Sequence, residues 1–140
     1  MSSKLVPDSE YTGIIALLPV KLRALVLLAR LDRPIGWWLL FWPCTFGLAL
    51  SGGLVPRWDL ALWMLLGAIV MRGVGCVYND IVDRNLDAQV ARTASRPLPS
   101  GDVSVRGAWA FLLGLCALGL LVLFQLRWEA QIVALSSILL

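Results

Sequence analysis

The sequence predicts an all-α protein, a polytopic bundle of transmembrane helices, and three observations predict it. Of 140 residues, 59% are hydrophobic and only 15% charged, where soluble domains carry about a quarter charged. The mean hydropathy is +0.81. The apolar residues gather in runs near the ~20 residues that a helix needs to cross a hydrocarbon core of about 30 Å.

Residues 1–34 read as a polar N-terminal segment followed by an interfacial amphipathic helix. The first twelve residues are polar, carry Asp8 and Glu10, and lack the charged stretch, apolar core and small-residue site of a cleaved secretory signal. Residues 14–31 are apolar but interrupted by Pro19, Lys21, Arg23 and Arg30, which suits a helix lying in the membrane interface. The bundle then occupies residues 35–140, with spans expected at 35–55, 60–78 and 108–126 and a polar loop at 79–107. Asp59 and Ser104 are the expected N-caps of the second and third spans. A fourth apolar run starts at Ala130 and reaches Leu140, eleven residues, too few to cross. The expectation is a bundle truncated after about three and a half spans, because an unfinished span leaves backbone groups unpaired in lipid.

Lys4, Lys21, Arg23, Arg30 and Arg33 precede the first span, and Arg84, Arg92, Arg96 and Arg106 lie between the second and third. Only Arg57 and Arg127 fall on the opposite side, so the positive-inside rule places the N-terminus and the loop 79–107 in the cytoplasm; the membrane expected is a bacterial inner (plasma) membrane. Trp37, Trp38, Trp58, Trp63, Trp109 and Trp128 stand near span ends, where an amphipathic ring sits well among headgroups. The net charge of +3 does not point to nucleic acid, since the basic residues form no stripe. Cys44, Cys76 and Cys116 are far apart in apolar sequence, with no histidine in the chain to complete a zinc site, and read as small buried hydrophobes.

The most informative segment is Asn79-Asp80-Ile81-Val82-Asp83-Arg84-Asn85-Leu86-Asp87, directly after the second span. On a helix, Asp80, Asp83 and Asp87 fall within about 60° of one another. Stacked anions repel, so a cation is expected, and Mg²⁺ is the natural one: it takes oxygen ligands and commonly bridges one or two carboxylates to a substrate phosphate. A solvated acidic helix end is the alternative. Arg72 lies inside the second span, where a charge costs about 2.5–3.5 kcal/mol, so it should face the bundle interior or else snorkel to the interface. It stands about 20° from the direction of Asp83, three turns deeper. Gly67, Gly73 and Gly75 on the same helix permit close helix approach or leave room for a ligand. Beyond Asp87, Pro97 and Pro99 forbid a continuous helix, and Pro99-Ser100-Gly101 signals a turn. Arg92 and Arg96, read as one helical turn apart, suit phosphate oxygens, with plain positive-inside topology as the alternative.

These residues carry a family resemblance. Arg30-Leu31-Asp32-Arg33-Pro34-Ile35-Gly36, Trp42-Pro43, Met71-Arg72, Gly75-Cys76, the N-D-x-x-D-x-x-x-D segment, Arg92-Thr93 and Arg96-Pro97-Leu98-Pro99-Ser100-Gly101 occur in an order that resembles the UbiA-type intramembrane aromatic prenyltransferases. Residues 83–101 are most similar to members that prenylate 4-hydroxybenzoate in ubiquinone synthesis. The resemblance implies a Mg²⁺-dependent transferase joining the chain of a polyprenyl diphosphate to the ring, meta to the carboxylate. It implies Asp80, Asp83, Asp87 and the neutral donor Asn79 as metal ligands that also bind the diphosphate end, with Asp80, Asp83 and Arg72 central to catalysis. Arg92 and Arg96 are implied on the phosphates, and Arg72, Arg30 or Arg33 on the benzoate carboxylate or a diphosphate oxygen. The family also carries a second aspartate-rich motif on a later helix. None lies between Val103 and Leu140, so these 140 residues are expected to be inactive alone. Rival readings are a related prenyltransferase with another aromatic acceptor, a non-catalytic membrane subunit whose acidic loop docks a partner, and a CDP-alcohol phosphotransferase. The Asp-Gly and Ala-Arg pattern of the last is absent around Asp80.

Overall fold

The computed structural model describes residue 15 and residues 17–52 and 57–137. The polar segment expected at residues 1–12, the first residue of the interfacial helix and the end of the first expected span lie outside the described residues. Five helices and no strand occur among the described residues: α1 (Val20–Leu28), α2 (Pro34–Leu50), α3 (Trp58–Asp87), α4 (Val105–Leu123) and α5 (Trp128–Ser136).

Helix α1 is shorter than the expected 14–31. Pro19 precedes its first turn, and its end is closed by two hydrogen bonds, Arg30 N–H to the Leu27 carbonyl at 3.1 Å and Leu31 N–H to the Val26 carbonyl at 3.1 Å. This Schellman closure needs a left-handed residue, usually glycine. Here it is Arg30, at φ 53°. An L residue in that conformation costs roughly 1–2 kcal/mol.

Proline 34 opens α2, where its missing N–H costs nothing. The helix stops at Leu50 rather than near residue 55, because Gly52 turns left-handed at φ 72° and donates its N–H to the Ala49 carbonyl at 3.0 Å. At 17 residues α2 is about 25 Å long. By length and composition α3 and α4 are the two described helices able to cross a membrane.

The second expected span and the acidic segment are one uninterrupted helix of 30 residues, α3. Asp59 is not its N-cap. Arg57 holds that position, and its Nε and NH2 donate to the Asp59 carboxylate at 3.1 and 3.2 Å, so the oxygens that would cap the helix are occupied by a guanidinium. Ser104 does cap α4, its Oγ accepting from Gly107 N–H at 3.1 Å. This cap starts α4 three residues earlier than the expected span, and a turn from Phe124 to Arg127 ends it before α5 begins at Trp128.

Helix α3 packs against both α2 and α4 and touches α1. Its glycines divide the two expected roles. A Cβ on Gly67 would meet Val122 at 3.2 Å, and one on Gly73 would meet Leu115 at 3.3 Å and Ala29 at 3.4 Å, so both serve close approach; Gly75 faces open space. Cys76 is buried and Cys116 half-buried, but Cys44 is exposed, contrary to expectation, on a face of α2 that no described element covers. The apolar core sits at the loop end of the bundle, where Ala24, Leu28 and Ala29 meet Val77 and Ile81 of α3, Leu98 and Val103 of the loop, and Ala108 and Leu112 of α4.

Leu28 is 0% exposed in that core, whereas Leu121 on α4 is 58% exposed. Leu28→Ala is expected to cost about 2–5 kcal/mol through lost contacts and the cavity left behind, and Leu121→Ala less than about 0.5 kcal/mol. Thermal unfolding midpoints of the two variants in the same detergent check this; equal midpoints would show that the core does not lie at the loop end.

Candidate active site at the loop end of α3

Asp80 and Asp87 are seven residues apart, about 20° in direction, and both are buried on the side of α3 that meets the loop. Val77 and Ile81, core residues either side of Asp80, fix which face of the helix turns inward. Residues 88–104 then double back through successive turns. Thr93, buried, donates its hydroxyl to the Asp87 carbonyl at 2.9 Å and lies 3.3 Å from the Val90 carbonyl, which pins the loop to the end of α3. Leu98 and Val103 plug into the core, and Gly101, at φ 83°, makes the turn between them, donating to the Leu98 carbonyl at 3.2 Å.

This folding brings Arg96 back over α3. Its NH1 lies 2.8 Å from Asp87 Oδ2 and 3.3 Å from Asp80 Oδ1. From the other side, Arg30 NH2 donates to the same Asp80 Oδ1 at 3.0 Å. The result is a chain of alternating charge, Arg30, Asp80, Arg96, Asp87, drawn from three separate parts of the sequence. Asp80 is the most deeply buried member, its side chain 3% exposed, while the two arginines retain 25–28% exposure. A buried carboxylate left unpaired would cost several kcal/mol, so two cations converging on one oxygen are the condition for Asp80 to stand there as an anion.

The three aspartates do not converge as the helical projection suggested. Asp83 is exposed, as is Asn79, while Asp80 and Asp87 are drawn inside. The cause is that a 60° sector straddles the edge of the contact with the loop, and Asp83 falls on its outer side. Arg92 and Arg96 are not stacked on a helical turn either. The loop runs in tight turns, so Arg96 points in and Arg92 is exposed. Arg33, its side chain 43% exposed, pairs with Asp32 at 3.6 Å. Arg72 is half-buried beside Gly36 of α2, so it faces a helix interface rather than snorkelling freely. Two contacts had no local signal in the sequence: the reach of Arg30 across fifty residues to Asp80, and the Thr93 pin.

Among the described residues, no three His, Cys, Asp or Glu side chains stand close enough together to hold a metal ion. The donor chemistry nevertheless fits Mg²⁺, which takes hard oxygen ligands, needs only one or two carboxylates and completes its shell with water and substrate phosphate. Asp80, Asp83, Asp87 and Asn79 offer only such oxygens.

The described helices thus form an apolar bundle with carboxylates and arginines gathered at one end of its longest helix. The chain matches the UbiA prenyltransferase family over residues 40–140 and belongs to it. It is 47% identical over 114 residues to the mitochondrial 4-hydroxybenzoate polyprenyltransferase of Aedes aegypti, covering 79% of this chain and 26% of that protein. It is 44% identical over 124 residues to the mitochondrial 4-hydroxybenzoate polyprenyltransferase of Bos taurus, covering 87% of this chain and 33% of that one. The 4-hydroxybenzoate octaprenyltransferase of Shewanella loihica is 47% identical over 107 residues, 75% of this chain and 37% of the relative. The chain therefore spans between about a quarter and somewhat over a third of the length of these curated relatives. No solved structure matches it. As a member of this family with helices able to cross a membrane, it is an integral membrane protein.

Arg30→Gly relieves the left-handed backbone but strips Asp80 of one cation, and the second effect is the larger. A net loss of about 1–3 kcal/mol is expected, since Arg96 still partly compensates the buried charge. Asp80→Asn combined with Arg30→Gly should regain most of it, because the charge needing compensation is gone. Thermal melts of the two variants decide; a double variant no more stable than Arg30→Gly alone would separate Arg30 from Asp80 energetically.

Proposed function

We propose that this chain contributes to an active site that transfers a polyprenyl group from polyprenyl diphosphate to the ring of 4-hydroxybenzoate, meta to the carboxylate, on the route to ubiquinone. The observation that carries the reading is the pairing of buried carboxylates with arginines from α1's end and the loop, at the mouth of an apolar bundle. The names of its relatives point to the same donor and acceptor classes.

In this reading Asp80, Asp83, Asp87 and Asn79 would hold Mg²⁺, whose positive charge would stabilise the diphosphate as a leaving group. Arg96 and Arg30, already at the carboxylates, turn their remaining donors to diphosphate oxygens, and Arg92 and Arg33 extend the same positive rim outward. The allylic C–O bond breaks and the diphosphate leaves with the electron pair. Apolar side chains of α2, α3 and α4 keep water from the allylic cation. The phenol ring then forms the new C–C bond, and loss of the ring proton restores aromaticity. Arg72, deeper on α3, meets the acceptor's carboxylate by a charge-assisted contact. The prenyl tail lies among the helices and the bilayer.

With α2 crossing as a further span, the distribution of lysine and arginine supports a cytoplasmic face for the N-terminus and the loop 79–107. The test is Asp83→Asn in membranes carrying the intact protein. Radiolabelled prenyl transfer to 4-hydroxybenzoate and its response to Mg²⁺ should both be lost. Unchanged kinetics would remove Asp83 from the metal site.

A further inference from the structure

Arg72 lies in the stretch of α3 that reads as a membrane span, half-buried. Among the described residues its guanidinium makes no hydrogen bond or ion pair. A cation at such depth is costly, and an arginine there normally finds a partner or a wet cavity. What fixes its place is shape. A Cβ built on Gly36 of α2 would lie 2.5 Å from Arg72 Nε, 3.2 Å from Cζ and 3.3 Å from Cδ. Side chain and methyl cannot share that space. Gly47, further along the same helix, has nothing within 4 Å of its Cβ position, so the crowding at Gly36 is specific to the arginine.

The atoms that a methyl would strike belong to a flexible side chain and not to backbone. Alanine is also the better helix former. A substitution at residue 36 therefore moves the arginine and leaves the helices where they are.

We infer that Gly36 is a positioning residue: by lacking a side chain it lets the Arg72 guanidinium lie across α2, where it meets the carboxylate of the acceptor. This rests on the reading of the acceptor as a hydroxybenzoate. The choice of carboxylate over diphosphate follows from depth. Arg72 precedes Asp80 by eight residues, about 12 Å along the helix, and Arg30 and Arg96 already supply positive charge at Asp80. A ring whose reacting carbon faces the diphosphate carries its carboxylate on the side of Arg72.

Two measurements on the intact protein in its membrane test this. Phenylglyoxal labelling, read at the Arg72 peptide by mass spectrometry, should run severalfold faster in Gly36→Ala than in the unsubstituted protein, because the guanidinium leaves its seat. In the transfer assay, Gly36→Ala should raise KM for 4-hydroxybenzoate by about tenfold or more, as loss of a charged hydrogen bond implies, with kcat and KM for the prenyl diphosphate unchanged. Gly36→Ala with Arg72→Ala should be no worse than Arg72→Ala alone and should keep its thermal midpoint, since both changes act through one group. Unaltered labelling, or losses that multiply in the double variant, would overturn the positioning role. A rise in KM for the diphosphate instead would overturn the assignment to the carboxylate. If the unsubstituted protein does not prenylate 4-hydroxybenzoate, the functional reading falls while the labelling still decides whether Gly36 seats Arg72.

Discussion

The charge on Asp80 governs the arrangement around it. A carboxylate with a side chain 3% exposed, inside an apolar core, can be an anion only if cations are brought to it. Two are, from opposite directions. Arg30 arrives from the end of α1 by accepting a left-handed backbone that glycine would adopt freely. Arg96 arrives because the loop folds back on itself, with Thr93 tied to the end of α3 and Leu98 and Val103 buried below. The core at this end of the bundle and the ion pairs thus depend on each other: apolar packing holds the arginines in place, and the arginines make the buried acid tolerable.

That arrangement also explains how the site can be both stable and receptive. The arginines keep about a quarter of their side-chain surface exposed, and each guanidinium has five donors, more than the ion pairs use. Strained backbone next to a charged cluster is the kind of local compromise that persists where function demands it. At the other level of α3, Arg72 is placed by the absence of a side chain at Gly36 rather than by an ion pair.

The helical membrane fold was legible in composition and run length, since both follow from the cost of unpaired backbone in lipid. The Ser104 cap was legible too, because a serine before an apolar run satisfies an N–H whatever surrounds it. Helix ends were less so: Gly52 closes α2 early, and the side chain expected to cap α3 is engaged by Arg57. Helical spacing put Asp80, Asp83 and Asp87 in one sector but could not say which edge of that sector the loop would cover. Periodicity describes one helix, whereas the choice between Asp80 and Asp83 is made by a neighbouring element. For the same reason Arg30 and Arg96 carried a phosphate-binding character in the sequence, but their contacts with Asp80, across 50 and 16 residues, required the tertiary fold.

The central claim is that these paired carboxylates and arginines form a site for magnesium and a prenyl diphosphate. Its most direct test is the thermal midpoint of the intact protein with and without Mg²⁺ plus a non-hydrolysable prenyl diphosphate analogue. A ligand that binds only the folded state at a hundred times its dissociation constant adds about 2.7 kcal/mol. The account predicts a clear upward shift that needs both components and disappears in Asp80→Asn. A midpoint indifferent to the pair, or a shift that survives the loss of Asp80, would contradict it.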